Sequence, residues 1–201
     1  MISEGLRKNF PRAIFLLFAV IVLNSSFLTF SETADRSLKG IPPRTVADYL
    51  QAVIEADRQV YTTRIVQRMQ NQGIVLATED WEARHALPLP AQFLMESARL
   101  VAEREEGIRY RLTSLWPIYR RNAPVTNFEK KGLEAVLMSP DEPYTGVIKS
   151  GKKQFFQAIY ADRAVSETCV ECHNTHPMSP KRDFQKGDVL GGLIITIPLQ
   201  H

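Results

Sequence analysis

Cysteine is nearly missing from this chain: two among 201 residues, Cys169 and Cys172, and no others. No further thiolate therefore exists to complete a zinc site of three or four sulfurs. No internal repeat or low-complexity tract occurs, so a solenoid or a tandem array is excluded. Charge of neither sign dominates, with 25 Lys and Arg against 22 Asp and Glu. Residues 1–30 hold Arg7, Lys8 and Arg12 against Glu4, so most of the basic excess sits at the start of the chain. Nothing in this balance argues for nucleic acid as a partner. What remains is ordinary globular material: 44% hydrophobic and 23% charged, enough for one domain with a real core.

The two cysteines stand together in Cys169-Val170-Glu171-Cys172-His173. Two thiols three positions apart, followed at once by an imidazole, form the pattern for covalent attachment of c-type haem. Cys169 and Cys172 would add across the porphyrin vinyl groups as thioethers. His173 would bind the iron as the proximal ligand through a neutral nitrogen. One haem c, covalently held, is the expected cofactor. Three other readings compete. A disulfide this local leaves His173 without a role. A thioredoxin-like pair should open a helix after a strand, whereas this motif is expected in a Pro- and polar-rich loop. A zinc site of both cysteines with His173 and His176 would crowd four ligands into eight residues.

At the start, Arg7, Lys8 and Arg12 precede an unbroken apolar run from Ala13 to Leu23, as in an export signal. Apolar character resumes through Phe27, Leu28 and Phe30. A helix over 13–30 would be about 27 Å long at 1.5 Å per residue, close to a hydrocarbon core of roughly 30 Å. No A-x-A-like cleavage site stands out. Residues 1–34 thus read as a signal anchor or a cleaved signal peptide with its linker, and 35–201 as one exported domain. It would lie on the periplasmic side, held to the inner membrane by 13–30, or be soluble in the periplasm if cut. Haem is attached to C-x-x-C-H in that compartment, so the two signals agree.

Val46, Leu50, Val53, Ile54, Tyr61, Ile65 and Met69 fit one stripe of a long helix over 45–72, stopped by Gly73. Ile74 to Thr78 is a short extended run and 79–87 a loop. A second helix spans about 91–104, and Ile108 to Thr113 alternates as a half-buried strand. Thr126 to Glu129 is a capping box opening a helix to about Met138. Residues 144–149 and 153–160 form a hairpin, and 189–198 is the last strand. Helices first and strands later give α+β, an antiparallel sheet packed with helices.

The ordered set Leu87-Pro88-Leu89-Pro90-Ala91-Gln92-Phe93, Leu112-Thr113-Ser114-Leu115 and Arg121-Asn122-Ala123-Pro124, with Phe128-Glu129, resembles the c-type haem proteins of PAS-like fold. So does the tail from Cys169 to Pro180 with Gly187-Asp188-Val189 after it. The resemblance covers roughly 44–199. It implies a PAS-like sheet enclosing haem, as in the extracytoplasmic sensory parts of histidine kinases and chemotaxis receptors. At least one such relative completes the iron with a cysteine thiolate, and no third cysteine exists here.

The second axial ligand is therefore open between Met95, His85 and an empty or water-bound site. His176 follows His173 too closely to reach the opposite face and suits a propionate or the loop backbone better. Lys181 and Arg182 are candidate propionate partners, with Arg111 and Arg121 as weaker ones. The expected role is sensing redox state or a small haem ligand such as a gas. An electron-transfer cytochrome with a redox partner protein is the alternative. An enzyme is not expected, since only Arg84-His85 hints at a peroxidase-like pair. No kinase, HAMP or methyl-accepting region occurs, so output is expected to need another protein.

Overall fold

The computed structural model describes residues 40–104 and 107–199. The apolar run 13–30 and the question of its cleavage lie outside them. Among the described residues no helix is long and apolar enough to cross a membrane. The described chain is a mixed α+β fold built on a four-stranded antiparallel sheet.

The strands are β3 (Arg109–Thr113), β4 (Tyr144–Ser150), β5 (Lys153–Arg163) and β6 (Val189–Leu199), in the order β3-β6-β5-β4. A two-residue pair, β1 (Ala77–Thr78) and β2 (Leu87–Pro88), runs parallel elsewhere. The expected hairpin forms, with Ser150 opposite Lys153 and Gly151 at φ 60° in the turn. Because side chains alternate along a strand, β5 and β6 serve two cores. Ala158 and Tyr160 with Leu193, Ile195 and Ile197 face α1 (Pro43–Val60) and α4 (Pro90–Arg104), which contribute Ala47, Leu50, Ile54 and Leu94. Ile159 and Ile194 face the other way, against Leu133 and Val136 of α5 (Asn127–Met138). The sheet is thus covered by helices on both faces.

The long N-terminal helix differs from the sequence expectation in two ways. It is α1, then a π-helical turn over Tyr61–Val66, then α2 (Gln67–Asn71). Thr62 and Thr63 donate their hydroxyls back to the carbonyls of Arg58 and Gln59, at 2.7 and 2.9 Å, which loosens the regular ladder there. The stripe itself is narrower than expected. Val46, Leu50 and Ile54 pack inward, while Val53 and Ile65 are exposed. The loop expected at 79–87 holds a short helix, α3 (Trp81–Arg84), ended by His85 in the left-handed region at φ 51°.

Half of the capping box at Thr126 forms: its hydroxyl accepts from the Glu129 amide at 3.1 Å. The Glu129 carboxylate accepts instead from the Val125 amide and from Arg111, at 2.6 and 2.7 Å. The largest departure is at the cysteines. The motif lies on a helix, α6 (Glu167–Thr175), that directly follows β5. The Pro-rich character that suggested a loop belongs to the residues after it.

Gly191 of β6 faces Thr113 of β3, and a Cβ there would stand 2.2 Å from the Thr113 carbonyl oxygen. Backbone cannot yield as a side-chain tip does. Gly191→Ala is expected to destabilise the fold by at least the roughly 1–3 kcal/mol of ordinary overpacking, read as a lowered chemical or thermal unfolding midpoint.

Candidate functional site

Helical geometry decides what the motif presents. Residues three and four apart share one face of a helix, so Cys169, Cys172 and His173 project together from α6. All three line one cavity of about 370 Å³, within the range of about 300–1,000 Å³ for small-molecule and cofactor sites. Its walls come from several elements: Arg58 of α1, Glu79, Leu89 to Gln92 and Met95 at the start of α4, and Leu112 to Ser114 of β3 and beyond. Trp116 to Tyr119, Arg121 and Asn122, Asp162 of β5, Thr168 of α6, and Leu190 and Gly191 of β6 line it too.

Several contacts fix the walls. Tyr61 of the π-helical turn stacks on Phe93 at 4.4 Å and donates its hydroxyl to the Pro88 carbonyl at 2.7 Å. That seats the N-terminus of α4, and Met95 with it. Beneath α6, Cys169 and Val170 pack on Ala164, Phe184 and Leu190. The Asn174 side chain brackets the Phe184 backbone, donating to its carbonyl at 2.9 Å and accepting from its amide at 3.0 Å. The return loop is thereby pinned to the motif helix, with the His173 ring edge-on to Phe184 at 5.7 Å.

Burial governs the titrating groups. It is the main force pushing the His173 imidazole below its usual range; His176 adds to this and Asp162 opposes it. His173 is thus held neutral at pH 7, the form that binds metal. Its Nδ1 is buried and finds no hydrogen-bond partner among the described residues. The Cys172 thiol is pushed up, first by burial and then by the charges of Glu79, Cys169 and Glu171. Neither cysteine is in a disulfide.

The helix after a strand removes one objection raised from sequence, since that is the setting of a thioredoxin-like pair. What still sets the site apart is the imidazole: His173 directly follows Cys172 and lines the same cavity as both thiols, a position a redox pair alone does not call for.

A family model described as Tll0287-like matches residues 42–198. The chain belongs to that family. The Tll0287-like family is one of c-type haem domains, which accounts for a cavity fronted by two thiols and an imidazole. No curated protein and no solved structure matches the chain. The residues present fit a haem: the cavity is largely apolar, the imidazole is neutral with a nitrogen left without a partner among the described residues, and Arg121 offers positive charge.

The other residues singled out from sequence fall on both sides of the wall. Met95 lines the cavity and His85 does not. His176 lies 3.4 Å from a Glu79 oxygen and accepts from the Met178 amide at 3.1 Å, so it fastens the loop. Lys181 packs over Phe184 at 4.5 Å and pairs with Asp183; Arg182 donates to the Pro177 carbonyl at 2.9 Å. Neither is among the lining residues. Arg111 is held by Glu129, while Arg121 does line the cavity and lies over the Tyr119 ring at 5.1 Å. Sequence reasoning missed Arg58 and Asp162, whose ion pair forms part of the wall. They are 104 residues apart, and no local pattern joins them.

Alkylation kinetics check the electrostatic argument. In chain made without cofactor, Cys172 is expected to react with iodoacetamide at pH 7 more slowly than a free model thiol, since less of it is thiolate. A faster reaction would contradict the effect of burial on this thiol.

Proposed function

We propose that this Tll0287-like chain is an exported protein with one covalent haem c, serving to sense redox state or a small haem ligand rather than to catalyse a reaction. Cys169 and Cys172 would hold the porphyrin as thioethers, and His173 would ligate the iron. The observation that carries the reading is the shared face of α6: two unpaired thiols and a neutral, partnerless imidazole, all opening onto one apolar cavity. When bound, the haem supplies a one-electron iron centre with a coordination position for a small molecule. The chain's own residues shape what it does. The largely apolar wall would limit water, Arg121 would offer its charge to a propionate, and His176 holds the loop after the motif to Glu79.

The four-stranded antiparallel sheet with helices on both faces supports a PAS-like fold for the domain. Export and anchoring rest on Arg7, Lys8, Arg12 and the run at 13–30. A sensing role would need a partner protein to read the change.

One observation favours the second reading, an electron-transfer cytochrome. Met95 is on the cavity wall, and its thioether would give the iron a second protein ligand, which suits electron transfer. A peroxidase-like site draws no support from Arg84 and His85, because Arg84 pairs with Asp80 and neither residue lines the cavity.

Expression beside a working haem-ligation machinery tests the central claim. The mature protein should be coloured and heavier than the polypeptide by one haem; a colourless chain of bare mass would refute it. Cys172→Ser should leave the haem singly tethered, and His173→Ala should shift the Soret band.

Met95→Ala separates the two roles. If Met95 ligates, ferrous wild type resists CO and the variant binds it readily. If wild type already binds CO and the substitution changes nothing, the sensing reading stands.

A further inference from the structure

The stripe by which α1 packs on the sheet runs through Ala47, Leu50 and Ile54 and ends in a charge, Arg58. The facing row of β5 runs through Ala158 and Tyr160 and also ends in a charge, Asp162. The two form an ion pair where the helix–sheet interface opens into the cavity, and both line it. Their side chains are only 13% and 9% exposed.

Stability alone does not account for them. Desolvation offsets most of the attraction in a buried pair, and apolar residues of similar size hold such an interface as well or better. The backbone is also adapted here. The β5–β6 register shifts between Asp162 and Arg163, an irregularity of the kind that re-aims side chains beside functional sites. Arg58 sits one turn before the π-helical segment, and its carbonyl takes the Thr62 hydroxyl.

The pair is electrostatically in touch with the motif. Asp162 opposes the effect of burial on His173. Burial works against the Arg58 charge, and Asp162 first, with Cys169 and Glu55 after it, together outweigh it.

We propose that Arg58 and Asp162 set the one-electron potential of an iron held at His173, as two charges of opposite sign that nearly cancel there. The inference rests on the haem reading above. Reduction of ferric to ferrous iron takes one electron from an external donor and lowers the positive charge of the site by one. No bond to Arg58 or Asp162 forms or breaks. A carboxylate nearby favours the ferric state and a guanidinium the ferrous state, so each member alone would pull the potential its own way.

The test is a potentiometric titration of the haem-loaded full chain, followed by its visible spectrum, with haem content checked by intact mass. Asp162→Asn leaves Arg58 unopposed and should raise the potential. Arg58→Gln leaves Asp162 unopposed and should lower it. At the wild-type midpoint the ferric-to-ferrous ratio should move by about tenfold in opposite directions, the size of one uncompensated charge roughly 12 Å away at an effective dielectric near 20. Arg58→Lys should restore nearly wild-type behaviour. If the single variants do not fold, the paired change Arg58→Met with Asp162→Leu remains informative, because it removes both charges and should leave the ratio near wild type. Singles that shift together, singles that do not shift, or a paired variant far from wild type would overturn the proposal. A chain with no haem at all would instead refute the reading beneath it.

Discussion

The candidate site depends on holding one neutral imidazole at a fixed place on a largely apolar wall. His173 keeps that place because α6 cannot turn. Cys169 and Val170 are packed into the cluster of Ala164, Phe184 and Leu190, and Asn174, one turn further along the same face, ties the helix to the Phe184 backbone. Rotation of α6 by one residue would withdraw both thiols and the ring from the cavity together. Burial then does the chemistry, keeping the ring uncharged and Nδ1 without a partner. An unsatisfied buried nitrogen is unfavourable in a chain alone, and a cavity-bound metal is one of few things that gives such a ring a reason to be there.

The rest of the domain supplies a rigid frame for that wall. The sheet is pinned between α1 and α4 on one face and α5 on the other, which leaves its far end as the place where side chains can be replaced by space. Gly191 marks the boundary: a strand approaches there too closely for a Cβ, so the wall gains room without losing the ladder. Tyr61 stacked on Phe93 couples the same corner to the N-terminal helix. The cavity is therefore bounded by elements that share contacts with the core, and a change of shape in it must be carried by α1, α4 or the loop after α6.

Legibility in the sequence followed the range of the interaction. The C-x-x-C-H spacing could be read because the chemistry is local and specific, and the hairpin at 150–152 and the cap at Thr126 because turn and cap signals are local too. The helix carrying the motif was hidden, since the prolines and polar residues just after it dominate the local composition. The stripe of α1 was read too broadly, because Val53 and Ile65 are apolar yet point to solvent. Lys181 and Arg182 looked available by proximity in the chain, but each is engaged within its own loop. Arg58 and Asp162 were invisible for the opposite reason: each breaks an apolar pattern alone, and only folding brings them together.

On the proposed reading, that last pair also bears on how a change at the cofactor could leave the domain. Arg58 belongs to α1 and Asp162 to the central sheet, so a shift of charge in the cavity acts on the joint between them. Just beyond Arg58 the helix is already loosened by the hydroxyls of Thr62 and Thr63 and by the π-helical turn. A regular α-helix would resist a small displacement along its whole length, whereas an irregular turn can take it up locally. Whether displacement is used or suppressed depends on the other side of the iron. A thioether from Met95 would tie α4 to the same centre and stiffen the corner, as electron transfer favours. A position left to an exchangeable molecule would let ligation and the Arg58–Asp162 joint respond together, as sensing requires.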